Sequence, residues 1–192
     1  MFFLIILVLV ALIVLLLGGK LKNLTYIRFK FAWLALLAIT VKIVSIAGFF
    51  DDYGLSYLIP VLRAASMILI LAFIGFNINL RGMPLVLIGL LSNALVIWAN
   101  GGKMPVSENY ARLAFSAKEI TELAAGNNID SFVLANSNTK LNFLGDVLPM
   151  PEWIPLTKLF SIGDILVAIG AAIFIVYYLK FNHKTYLSYK KL

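Results

Sequence analysis

The sequence predicts an all-α membrane protein of five transmembrane helices, with an extracytoplasmic cap inserted between the fourth and the fifth. Three observations carry this expectation. Apolar residues make up 62% of the 192-residue chain and charged residues 13%, against roughly 25% charged residues in a soluble domain. The apolar residues are gathered into five runs, each close to the ~20 residues a helix needs to cross a hydrocarbon core. The charges between those runs are sorted by sign.

The first run, Met1 to Leu17, is not preceded by basic residues, and Leu16, Leu17 and Gly18 offer no small-x-small cleavage pattern, so it is expected to persist as a helix. Helices are expected at about 1–18, 31–50, 58–76, 83–99 and 162–180, within a single domain spanning 1–192. The short connections Asp51 to Tyr57 and Asn77 to Gly82 make the second, third and fourth an up-down bundle. Only the connection at 100–161 is long. Connections of that length are usually functional or disordered, and this one is too apolar and too patterned for disorder.

Charge sets the orientation. Lys20, Lys22, Arg28, Lys30, Arg81, Lys180, Lys184, Lys190 and Lys191 fall on one side of the spans, giving it +9. All nine acids fall on the other with five cations, giving −4, and Lys42 and Arg63 lie within spans. Basic loops stay in the cytoplasm. The N-terminus is therefore expected outside and the C-terminus inside a bacterial cell membrane, as a multi-pass protein. The net charge of +7 then reads as topology, with the lipid bilayer as partner and no nucleic acid. Trp33, Tyr177 and Tyr178 suit the inner headgroup level, and Tyr53, Tyr57, Trp98 and Trp153 the outer one.

Within the cap, Ser107 can start one amphipathic helix, Glu108 to Ala125, whose apolar positions Tyr110, Leu113, Ala117, Ile120 and Ala124 recur every three or four residues before Gly126. Phe132 to Leu144 places polar Asn136 to Thr139 between apolar flanks, as in a small hairpin or an irregular loop. Pro149, Pro151 and Pro155 forbid a regular helix thereafter and suggest an interfacial loop.

Several residues are candidates for a ligand or anion site. Lys42 lies deep in the second span and Arg63 shortly after Pro60 in the third. A charge within a span costs roughly 2.5 to 3.5 kcal/mol on the insertion scale, so each either snorkels, pairs internally or meets an anionic ligand. Asn93, in the middle of the fourth span, is either interhelical glue or part of a polar cavity. Asn100, Gly101 and Gly102 stop the fourth span, where glycine permits positive φ; their consecutive amides, with Lys103 beside them, either simply end the helix or form an anion-binding nest. Asp164, at the start of the fifth span, suits a helix cap. Asp146 has no such local role and is a candidate partner for Arg63, Lys103 or Lys42.

Other chemistry is excluded cheaply. There is no cysteine, so disulfides, thiolate metal sites and cysteine nucleophiles are ruled out. The single histidine, His183, lies in the tail after the fifth span, which removes histidine-pair ligation and a histidine-based triad. LLLGGK lacks the first glycine and the hydroxyl residue of a P-loop. No catalytic residue, metal or cofactor is assigned.

The segments NGGKMPVS, NFLGD and FSIGDILVAIG, in this order and with a proline-rich stretch between the last two, resemble an uncharacterised family of small bacterial polytopic membrane proteins, a domain of unknown function. The resemblance covers most of the chain, including the basic Leu21 to Arg28 segment. It implies a lineage and no catalytic residues. The reading that fits best is a non-enzymatic membrane component whose cap binds a lipid headgroup or a membrane protein partner. The alternatives are a channel or transporter for a small solute or ion, using Lys42, Arg63 and Asn93 along an outward cavity, and an outer-interface enzyme acting on a lipid-linked phosphate.

Overall fold

The five apolar runs are rich in leucine, isoleucine, valine and alanine, and a chain of that composition satisfies its backbone amides internally by becoming helical. The computed structural model describes residues 2–47, 50, 53–125, 131–150 and 159–180. Helices α1 (Phe2–Leu16), α2 (Ala32–Ile46), α3 (Ile59–Phe76, with a 3-10 turn at Ser56–Leu58) and α4 (Met83–Ala99) precede the insert. The insert contains β1 (Met104–Val106), α5 (Ala111–Ala114), α6 (Ala117–Ala124), β2 (Phe132–Leu134), a 3-10 turn at Asn142–Leu144, β3 (Leu148–Pro149) and β4 (Leu159–Phe160). Helix α7 (Ile162–Lys180) closes the described fold.

An apolar helix therefore occupies each of the five expected segments. Two of the described segments, Ser56–Phe76 and Ile162–Lys180, are long and apolar enough to cross a membrane; α1, α2 and α4 are apolar but shorter, at 15, 15 and 17 residues.

The helices pack as a chain of neighbours, α1 on α7, α7 on α4, α4 on α3 and α3 on α2. The α4–α7 contact is made by glycine. A Cβ on Gly82 would lie 2.1 Å from the Gly170 carbonyl oxygen, and one on Gly89 would lie 2.4 Å from that of Gly163. Both pairs are seven residues apart on their own chain, about two helical turns, so each helix presents its two glycines on one face. Small residues there let the two backbones touch. Gly82 also has φ +88 and forms the N-cap of α4, a conformation that L side chains rarely adopt.

Side-chain contacts identify the two ends of the bundle. Phe3 meets Phe160 edge-on at 5.6 Å, placing the start of α1 beside the insert. At the far end, the Lys20 amide and the Asn23 side-chain amide both donate to the Leu179 carbonyl, at 2.8 and 2.7 Å. Asn77, the C-cap of α3 and only 3% exposed, closes this end. Its Oδ1 accepts from the Lys30 amide and its Nδ2 donates to the carbonyls of Lys30 and Phe73, all at 2.8 Å. At the same end Phe29 packs near Phe73 and Phe174.

The insert has its own small core, with Val106, Ala111 and Leu159 buried beneath Phe115, Ile120, Phe132 and Leu134. Strand β1 is its axis. It pairs in parallel with β2, Met104 opposite Phe132 and Val106 opposite Leu134, and Val106 also bridges to Asp146. Strands β3 and β4 pair antiparallel.

Two expectations for the insert are corrected. The single helix Glu108–Ala125 is two short helices, broken at Phe115 and Ser116. The reason is legible in SAKE: Ser116 Oγ accepts from the Glu119 amide while the Glu119 carboxylate accepts from the Ser116 amide, a reciprocal capping box that starts α6 afresh. Phe115, extended at φ −123 and ψ 148, meets the Phe132 ring at 5.5 Å. Ser107 is not the cap, and its amide donates to the Asp146 carbonyl. Of the two readings of Phe132–Leu144, a hairpin or an irregular loop, the hairpin is absent, because β2 pairs with β1 and Asn142–Leu144 forms a 3-10 turn. Gly126, Pro151, Trp153, Pro155, the acids Asp51, Asp52, Asp130 and Glu152, and the basic tail with His183 lie outside the described residues.

Candidate functional site: a cavity between the bundle and the insert

Lys42 lies in the last turns of α2 and Arg63 in the first turns of α3, so an up-down pair of helices brings both to the insert end. Ser45 and Ser66 are buried beside them and donate to the carbonyls of Lys42 and Arg63, at 2.7 and 2.8 Å. The Arg63 guanidinium reaches the insert, its Nη1 donating to Ser131 Oγ.

The turn after α4 is a helix terminator. The amides of Asn100, Gly101 and Gly102 donate to the carbonyls of Val96, Ile97 and Trp98, with φ of +67 and +85 at the two glycines. The nest reading fails on this point, because donors bonded to the helix are not offered to an anion. Asn100 instead clasps the insert: its Nδ2 donates to the carbonyls of Val96 and Lys140, both at 2.8 Å, and its Oδ1 accepts from the Lys140 amide at 3.0 Å.

Asp164 caps α7 together with Ser161. The Asp164 amide donates to Ser161 Oγ at 3.0 Å and the Ser161 amide to Asp164 Oδ2 at 3.1 Å. Asn93 ties this cap to α4, its Nδ2 donating to Asp164 Oδ1 and its Oδ1 accepting from Ser161 Oγ, both at 2.9 Å. These contacts assign Asn93 as interhelical glue and Asp164 as a cap.

Asp146 is held by backbone. Its amide donates to the Pro105 carbonyl at 2.8 Å, and a Cβ on Gly145 would come 2.6 Å from that same oxygen, so glycine is required for this approach. Among the described residues no ion pair involves Asp146, which corrects its expected role as a counter-ion; the one found there is the exposed Lys118–Glu122 pair. Its Oδ1 is buried with no hydrogen-bond partner. Burial, reinforced by the nearby Asp164 carboxylate, pushes the Asp146 carboxyl up to about 7.

These residues surround a cavity of about 730 Å³. Lys42, Arg63, Gly101, Gly102, Lys103, Asp146 and Asp164 line it, and Asn93 and Asn100 fasten its walls from behind. Apolar side chains complete the lining, Ile39 and Ile43 from α2, Met67 and Ile70 from α3, Ile97 from α4 and Phe132 from β2. Trp98 stands at its edge, 79% exposed. The volume falls in the ~300–1,000 Å³ range of small-molecule sites. Ser131 and Ser161 were not foreseen. Ser161 had a signal, a hydroxyl three residues before Asp164; Ser131 had none, since its partner lies 68 residues away.

The profile of a family of unknown function, DUF5317, matches residues 26–176. The chain belongs to this family. A protein of Thermotoga maritima described as uncharacterized is 28% identical over 173 residues, covering 88% of this chain and 87% of its own length. No solved structure matches. The DUF5317 match contains every residue that lines the cavity.

Proposed function

We propose that the chain is a five-span integral membrane protein, with its N-terminus and insert outside the cytoplasm, that binds the phosphate of a lipid headgroup beneath the insert. The binding is non-enzymatic. The observation that carries this reading is the composition of the cavity: three cationic side chains, Lys42, Arg63 and Lys103, outnumber the two aspartates, Asp146 and Asp164, in an otherwise largely apolar wall. A lipid presents that combination, an anionic phosphate attached to hydrocarbon.

The membrane setting is supported by what the helices expose. Only 17% of the most apolar window of each membrane-length helix is buried, unlike the core helix of a soluble protein. Leu4, Leu36, Val61 and Ile68 are each at least 62% exposed, an apolar exterior that hydrocarbon would cover. The shorter helices can be accommodated by local bilayer thinning and by oligomerisation. Orientation rests on charge. Lys20, Lys22, Arg28, Lys30, Arg81 and Lys180 belong to the end opposite the insert, as cytoplasmic loops would.

The test is purification in a mild detergent with native mass spectrometry of retained lipid. Lys42→Ala and Lys103→Ala should each lower retained phospholipid by about tenfold, equivalent to ~1.4 kcal/mol of binding. Retention that is unchanged in the double variant would abandon the site. A reporter fused after Leu192 that is active only outside the cell would overturn the orientation.

A further inference from the structure

We propose that the headgroup held in this cavity is an aminoalkyl phosphate, chemically a phosphoethanolamine, with its phosphate on the α2–α3 side and its ammonium against Asp146. The inference rests on the lipid reading above and narrows it.

The cavity has two walls of opposite formal charge, +2 from Lys42 and Arg63 on one and −1 from Asp146 and Asp164 together with Lys103 on the other. Lys42 and Arg63 come from α2 and α3, which pack on each other. Asp164 comes from α7, which packs on α4, and the 3-10 turn that leads into Asp146 contacts both of those helices. A purely anionic headgroup would use the first wall and face the carboxylates of the second. A zwitterion uses both.

Asp146 marks where the second charge belongs. Its Oδ1 is buried in the wall with no donor among the described residues, a state that native structures seldom leave unanswered. The neighbouring Asp164 oxygens are already engaged by Asn93 and the Ser161 amide, so Asp164 adds negative potential without supplying a proton donor. A primary ammonium in the cavity answers both needs once the Asp146 side chain turns its covered oxygen toward it, with three N–H donors and a positive charge. A trimethylammonium carries the charge without the donors, and a glycerol headgroup carries donors without the charge. That contrast makes the proposal testable from the ligand side, on the wild-type protein.

The protein would be reconstituted in bilayers of equimolar phosphatidylethanolamine, phosphatidylglycerol and phosphatidylcholine, extracted gently, and its retained headgroups counted by native mass spectrometry. Phosphatidylethanolamine should be enriched about tenfold over each of the others. Asp146→Asn should return the ratio to that of the bilayer while total lipid per protein stays constant, whereas Lys42→Ala should lower the total. Lipid retained without headgroup preference in the wild type would overturn this inference alone. No retained lipid would remove the lipid reading and this inference with it. Soluble O-phosphoethanolamine binding in place of any retained lipid would move the site to a free phosphate ester and overturn the membrane source.

Discussion

Asn77 and Asn100 each end an apolar helix, and each reaches across to bracket the backbone of a lysine, Lys30 in one case and Lys140 in the other. Each also donates to the carbonyl four residues earlier in its own helix. The parallel extends one residue further. Phe31 and Leu141, following the two lysines, are the two described non-glycine residues with positive φ, at 52 and 53, and each precedes a helical turn. The same clasp is set in different surroundings. Asn77 is 3% exposed, whereas Asn100 is half-buried beside a cavity. A side-chain amide that substitutes for a strand partner can therefore close one end of a bundle completely and fasten a lining over the other.

Breaking the closed end should cost most. Gly82→Ala places a Cβ against the Gly170 carbonyl in a backbone conformation that disfavours it, and the expected loss is about 3 kcal/mol or more. Detergent-phase thermal unfolding would show it as a large fall in Tm; an unchanged Tm would mean that the α4–α7 approach is looser than described. Asn77→Ala comes next. It leaves the Lys30 amide and carbonyl without partners at a part-buried contact, at about 2 kcal/mol, with no selective effect on retained lipid.

The open end should respond to pH. The Asp146 carboxyl is raised from 3.8 to about 7 in the folded protein, so the folded state holds its proton more tightly than the unfolded chain does. The stability this contributes is present below pH ~4 and is lost as pH rises through about 7. Unliganded wild-type protein should melt at lower temperature at pH 8 than at pH 5, and Asp146→Asn should flatten that slope and exceed wild type at pH 8. A slope of opposite sign would mean that Asp146 is paired as a carboxylate after all. Lys42, Arg63, Lys103 and Asp164 line the same cavity, so the comparison is made between the two proteins across pH.

The smallest stability change sharpens the comparison most. Asn100→Ala should cost only about 1 kcal/mol, because water can reach the groups it releases. It should nevertheless reduce lipid retention, since the Lys140 segment is freed. Equal losses of stability from Asn77→Ala and Asn100→Ala would erase the distinction drawn between the two ends.

Local pattern made the helices legible. Apolar runs of sufficient length gave α3, α4 and α7 nearly to the residue, and the glycine pair after Trp98 gave the turn. What escaped was what depended on partners distant in sequence. The capping box at Ser116 was readable as S-x-x-E but was outweighed by helical periodicity through Tyr110, Leu113 and Ala117. Strand β2 was visible as an apolar triplet, yet its partner lies before it in the chain, so a hairpin was the nearer guess. For the site, residue type was informative and geometry was not. Cations within apolar runs flagged Lys42 and Arg63, but no local signal could say that Asp146 is unpaired or that Asn100 faces Lys140. The glycines seven apart in α4 and α7 were a readable signal, since a heptad of small residues marks a close helix contact.

That glycine contact also sets which parts of the molecule can move. Backbones that touch at two points, Gly82 with Gly170 and Gly89 with Gly163, cannot slide past one another by a residue without driving a side chain into a carbonyl. Helices α4 and α7 therefore behave mechanically as a rail, with Asp164 fixed on it one residue beyond the second point. Among the described residues the α3–α4 contact has no such interlock, so widening of the cavity falls to a swing of the α2–α3 pair, which would draw Lys42 away from Asp164 and strain the Arg63–Ser131 tie to the insert.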